Sequence, residues 1–149
     1  MNTKHKWKIL GIGILLLLGL WLYWEYPISL LDRLPKENWV RMELEKQVQS
    51  DLNGDTRYMD IPMEQILTQL DGTTVSRAAK KEHLEDEVFR ITLYKGEAWP
   101  TVIYVGPSGR VDVAADMQFD DWKYYEGGEV LYTYLKALTL DLPAVYPAA

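Results

Sequence analysis

One stretch constrains this chain more than any other. Residues 9–24 hold no charged side chain and include Leu15, Leu16, Leu17 and Leu18 in a row. Extended to residues 7–26 the stretch is 20 residues, about 30 Å as a helix, which is the thickness of a bilayer's hydrocarbon core. Lys8 can snorkel back to the headgroups beside Trp7, and Trp21, Tyr23, Trp24 and Tyr26 gather at the far end as an interfacial aromatic belt. A cleaved signal peptide ends its apolar region in small residues, whereas this run ends in bulky aromatics and the first alanine of the chain is Ala78. The expectation is a retained, single-pass signal anchor. Gly11, Gly13 and Gly19 lack the GxxxG spacing that would mark a dimerisation face.

Sidedness follows from the lysines. Arg33, Lys36 and Arg41 equal Lys4, Lys6 and Lys8 in number, but the three lysines crowd the membrane edge while Arg33 lies nine residues beyond Trp24. Residues 1–8 are therefore expected as a cytoplasmic tail, residues 9–26 as the span in the lipid bilayer of the cell membrane, and the remainder as an extracytoplasmic part.

All 22 acidic residues lie at or beyond Glu25, against 13 basic ones in the same stretch, a net of −9. Phosphate backbones would repel such a domain, so nucleic acid is not an expected partner, and a partner of basic character suits it better. The chain has no cysteine. That removes disulfides, thiolate nucleophiles, thiolate metal ligands and lipidated cysteines, and it is compatible with a Gram-positive cell surface.

Past the anchor, Pro27 and Pro35 with Ile28, Leu30 and Leu31 suggest a stalk over residues 27–38. A folded domain is expected over residues 39–140, followed by a tail over residues 141–149. Val40, Met42 and Leu44 alternate with Arg41, Glu43 and Glu45 as in a half-buried strand, and Asn53-Gly54 is a strong hairpin signal leading to a strand over residues 56–61. Asp60 can cap a helix with Pro62 in its first turn, apolar Met63, Ile66, Leu67 and Leu70, and Gly72 past its end. Residues 73–79 can form another strand. Residues 88–94, 101–105 and 110–115 read as strands parted by the turns Lys95-Gly96 and Gly106-Pro107-Ser108-Gly109. Beyond Gly127-Gly128, the residues Val130, Leu131, Tyr134, Leu135 and Leu138 trace a helical stripe. The expected fold is α+β: an N-terminal transmembrane helix followed by an antiparallel sheet of five or six strands with two helices packed on it.

Signatures of chemistry are sparse. His5 precedes the anchor and His83 stands alone in a charged run, so the usual zinc and general-base sets lack their members. The serine turn at Ser108 has Arg110 where a nucleophile elbow needs glycine. Asp51, Asn53 and Asp55 begin like a calcium loop, but Thr56 and Pro62 occupy positions that need glycine and a bidentate acid. No cofactor or metal is expected. Asp116, Asp120, Asp121 and Glu126 form the densest acidic set, interleaved with Phe119, Trp122, Tyr124 and Tyr125. Aromatic faces beside acidic acceptors can line a groove for a basic peptide or a sugar, so Trp122, Tyr124, Tyr125, Asp120 and Asp121 are the candidate ligand-binding residues. Trp99 before Pro100 is read as a packed corner.

The runs 89–94 (Phe89-Arg90-Ile91-Thr92-Leu93-Tyr94), 102–105, 109–113, 122–125 and 131–135 resemble an uncharacterised domain of small membrane-anchored or lipidated surface proteins of Gram-positive, clostridia-like bacteria. The resemblance covers residues 56–139. It implies an extracytoplasmic α+β module and carries no catalytic residue with it. The functional expectation is a non-enzymatic binding or accessory module recognising a protein or cell-wall partner. The alternatives are a carboxylate-dependent cell-wall glycan hydrolase, which needs two of the four acids about 5–10 Å apart, and an inhibitor or immunity-type protein whose acidic surface covers a basic active site.

Overall fold

The computed structural model describes residues 2–49, 55–80, 85–119 and 121–145. The expected Asn53-Gly54 turn, His83 and Asp120 lie outside them, as do Asp51 and Asn53. The apolar run is helical: α1 is Thr3–Glu25. Its stretch Thr3–Tyr23 is long and apolar enough to cross a membrane, and none of its most apolar window is buried against the rest of the chain.

The domain is one antiparallel sheet with helices. In chain order it comprises β1 (Ile28–Ser29), α2 (Leu30–Arg33), β2 (Arg41–Val48), β3 (Thr56–Tyr58), α3 (Met63–Asp71) and β4 (Thr74–Arg77), then β5 (Glu87–Tyr94), β6 (Thr101–Val105) and β7 (Val111–Ala114). A 3₁₀ turn (Met117–Phe119), β8 (Trp122–Glu126), α4 (Glu129–Thr139) and β9 (Ala144–Val145) complete it. The sheet order is β1-β4-β8-β7-β6-β5-β2-β3-β9. Strands β5 to β8 form a meander, α3 carries the chain from one side of the sheet to the other, and α4 carries it back.

Among the described residues there are nine strands, where five or six were expected. Two of the additions, β1 and β9, are two-residue edge strands too short for any periodic signal. The third is β8, whose aromatic and charged residues read as surface rather than as a strand. Segment 27–38 is also not a stalk. Ile28 and Ser29 pair with Val75 and Thr74, the Leu30 N–H donates to Thr73 O at 2.7 Å, and Leu30 and Leu34 are buried in the core. At the other end, Leu142 packs against the core and β9 pairs with β3, so the tail joins the sheet as far as Val145.

Period two divides the sheet residues. Leu44, Tyr58, Phe89, Ile91, Leu93, Ile103, Val105, Val111, Val113 and Tyr125 share one face, and the buried residues of α2, α3 and α4 (Leu30, Ile66, Leu70, Leu131, Tyr132, Leu135) cluster on it. The helices are joined where Gln65 Nε2 donates to the Tyr134 hydroxyl at 2.7 Å. Two local readings change. The cap of α3 is Pro62, with no side-chain capping bond, because Asp60 lies at φ 64°, outside the helix entry. The buried stripe of α4 runs through Leu131, Tyr132, Leu135 and Thr139, so Val130, expected inside, faces out. Trp99, expected in a packed corner, is 56% exposed.

The two turns form as expected. Gly106 N–H donates to Arg110 O, Gly109 N–H donates to Gly106 O, and Gly96 and Gly109 adopt positive φ. Gly127 between β8 and α4 is at φ 103° and a Cβ there would stand 2.7 Å from Thr74 O, so conformation and space both demand glycine.

Candidate functional site

The opposite face of the sheet is free of the helical core and is built from the alternate residues of the same strands. Register sets them in rows across the sheet. Glu43, Thr92, Val102, Ala114 and Trp122 form one, and Arg57, Glu45, Arg90, Tyr104, Asp112 and Tyr124 form the next. Polar residues in otherwise apolar strands, such as Asp112 between Val111 and Val113, point here because strand geometry turns every second side chain away from the core.

Three aromatics organise the centre. The Tyr104 and Trp122 rings lie 5.4 Å apart at 33°, and the Arg110 guanidinium stands 5.7 Å from the Tyr124 ring while that of Arg90 stands 5.9 Å from Tyr104. Arg110 Nε donates to Asp112 Oδ1 at 2.9 Å, both side chains being nearly buried. An open cavity of about 330 Å3 lies among Gln47, Lys80, Tyr104, Arg110, Asp112, Trp122 and Tyr124.

Burial raises the Asp112 carboxyl above its ordinary range, and the Arg110 hydrogen bond and charge pull it back in part. Glu85 shares a small recess with Asp112. Glu85 Oε1 accepts from the Ser108 N–H at 3.1 Å, while Oε2 is buried with no hydrogen-bond partner among the described residues. Gly106 permits this approach, since a Cβ there would collide with the Glu85 carboxylate. At the side of the face, Arg41 stacks 4.1 Å over Tyr94, whose hydroxyl donates to Glu43 Oε2 at 3.1 Å. Burial first, and that bond second, raise the Tyr94 hydroxyl's pKa.

The sequence candidates are split by this geometry. Trp122 and Tyr124 stand together on the helix-free face and line the cavity. Tyr125 does not join them: it points into the core, 2% exposed, beneath the Arg33 guanidinium at 5.7 Å. Successive strand residues face opposite ways, so three aromatics within four positions cannot share a surface. Asp121 is exposed just before β8 and lines none of the cavities described, and Asp120 lies outside the described residues.

Of the four acids considered for hydrolysis, three lie among the described residues. Asp116 accepts from the Gln118 N–H at the 3₁₀ turn, and Asp121 and Glu126 stand at opposite ends of β8. Among the described residues no group of three or more histidines or acids is placed to hold a metal ion.

No protein-family model, no curated protein and no solved structure matches this chain. Its function has to be read from the geometry.

The face that carries Trp122 is also not acidic. Arg41, Arg57, Arg90 and Arg110 stand among Glu43, Glu45 and Asp112, so the domain's surplus of carboxylates lies elsewhere. Near the two ends of α1, Trp7, Lys8, Trp21, Tyr23 and Tyr26 are all exposed, while Trp24 occupies the last turn of the helix.

Proposed function

We propose that this chain is a single-pass, membrane-anchored binding module, with its N-terminus in the cytoplasm and its domain outside, and that a partner docks on the helix-free face of the sheet. The observation that carries the reading is the cavity beside the stacked Tyr104 and Trp122 rings, floored by the buried Arg110–Asp112 pair. A sheet needs only one covered face to fold, and an antiparallel sheet ordinarily turns simple polar residues to water on the other. Here that face spends aromatic surface and a nearly buried ion pair, which are the materials of recognition: broad faces for stacking, fixed donors and acceptors for register. The mixed charge favours a partner read by shape and hydrogen bonds, a protein or a cell-wall glycan, over one selected for basic character alone. Asp112 is held by Arg110 and is not a free acid, in keeping with a binding role.

Two experiments test this. A photoreactive phenylalanine analogue replacing Lys80, at the cavity, should yield a discrete crosslinked species in intact cells. The same analogue replacing Glu64, on the outer side of α3, should not, and Trp122→Ala should remove the Lys80 adduct. Equal adducts from both positions would reject the face. For sidedness, the cysteine-free chain allows Thr133→Cys as a single exposed thiol. A membrane-impermeant maleimide should label it in intact cells, and labelling only after lysis reverses the orientation.

A further inference from the structure

A second cavity, sharing no lining residue with that of the proposed docking face, lies where α1 meets the domain. About 270 Å3 of space is lined by Leu22 and Tyr23 of the helix, Tyr26 and Ile28 of the connection, and Arg33 of α2. Its wall is apolar and aromatic, with one cation. Only Tyr26 and Pro27 separate α1 from β1, so the cavity follows directly on the last apolar turn of the helix. That is the depth at which a bilayer changes from acyl chains to phosphates.

Arg33 is an unusual residue to leave there. Its guanidinium stands 5.7 Å from the ring of core residue Tyr125, and its Nε is buried with no hydrogen-bond partner among the described residues. A buried donor without an acceptor is costly unless a ligand supplies one. Guanidinium is the side chain best shaped for phosphate oxygens. The total charge of the stretch beyond residue 24 is −9, so an anionic lipid is held here only if a local cation overrides the whole.

We infer that this cavity binds one anionic phospholipid, its phosphodiester on the Arg33 guanidinium and the start of its acyl chains against Leu22, Tyr23 and Ile28. The inference rests on the reading of α1 as a membrane span. Shape and charge agree: Leu22 and Tyr23 continue the apolar surface of α1 into the cavity, and Arg33 of α2 adds the one cation of its lining. Tyr26 lines the cavity and is exposed, so its ring and hydroxyl can meet the glycerol region together.

The test uses the full chain in mild detergent, incubated with phosphatidylglycerol or phosphatidylcholine of identical acyl chains and examined by native mass spectrometry. Wild type should retain one phosphatidylglycerol several-fold better than phosphatidylcholine. Arg33→Gln should lose the preference, Arg33→Lys should keep most of it, and Lys36→Gln, on the same segment but outside the cavity, should leave it unchanged. Equal retention of the two lipids by wild type overturns the site, as does an unaltered preference in Arg33→Gln. If Lys36→Gln loses the preference as fully as Arg33→Gln, diffuse charge is the cause and the site is rejected. A circular dichroism spectrum matching wild type confirms that each variant is folded. Alkaline carbonate extraction of the wild-type chain from membranes tests the span itself: release rejects both span and site, whereas retention with no lipid preference rejects the site alone.

Discussion

Phe89 and Arg90 are neighbours in β5 and live in different surroundings. Phe89 is fully buried against Tyr132 of α4, with ring centroids 5.5 Å apart, while Arg90 belongs to the helix-free face beside Tyr104. The core face is held by packing that has few alternatives. The other face buries the smaller Thr92, Val102 and Ala114 and carries the Tyr104–Trp122 ring pair and ion pairs beside them. A protein that only needed to fold could have finished that second face more simply, and the contrast locates where selection for something beyond folding is to be sought.

Substitutions can break or sharpen that contrast. The largest expected effect is on the core side: Phe89→Ala should lower unfolding stability by about 4 kcal/mol through lost burial and a cavity beside Tyr132, read by chemical denaturation of the domain. A loss no larger than that of an exposed residue would mean the helices are not seated as described. Next comes the ion pair, where Asp112→Ala removes the carboxylate to which Arg110 Nε donates and should cost about 2 kcal/mol.

The same pair has a pH signature. Burial, opposed in part by Arg110, raises the folded Asp112 carboxyl above its unperturbed 3.8, so the folded state binds that proton more tightly than the unfolded chain does. Its contribution to stability is complete below that value and is lost as pH rises through the folded one. Wild type minus Asp112→Asn, measured as unfolding free energy, should therefore be widest near about pH 4 and should narrow toward neutrality. A difference that widens toward pH 7 would show that Arg110 outweighs burial.

A smaller effect belongs to Trp122→Ala, which removes stacking on Tyr104 and should cost about 1 kcal/mol while removing the crosslink at Lys80. If stability falls as far as in Phe89→Ala, Trp122 is a core residue and the docking face loses its centre. The smallest is Arg57→Ala, whose exposed pair with Glu45 at 3.2 Å should contribute less than about 0.5 kcal/mol.

The sequence made the core side legible wherever polar and apolar residues alternated. Val40 to Glu45 announces β2, and the glycine turns at Gly96 and Gly109 fix the limits of β6 and β7. Strand β8 was harder to see because aromatics occupy both of its faces, Trp122 and Tyr124 on one and Tyr125 on the other, so no alternation of polarity survives. Its aromatic content and its position between an acidic turn and Gly127-Gly128 were the available signals. Half of the site was missed for a related reason. Tyr104 of β6 and the Arg110–Asp112 pair at the start of β7 meet Trp122 and Tyr124 of β8 only through register, which one strand read alone does not contain. Two-residue strands such as β1 leave no pattern at all, and the burial of Leu30 and Leu34 depends on a partner strand some 45 residues away.

That short edge strand determines how far the protein can search. With Ile28 and Ser29 already zipped to β4 and Leu30 seated in the core, there is no leash between anchor and sheet. A domain of about 115 residues has a radius of gyration near 13 Å, so on the proposed anchor its docking face can never range more than a few tens of ångströms from the bilayer. On the proposed reading, a partner must come to that thin layer, either by lying against the membrane already or by being carried on a neighbour in the same plane, which makes the encounter two-dimensional.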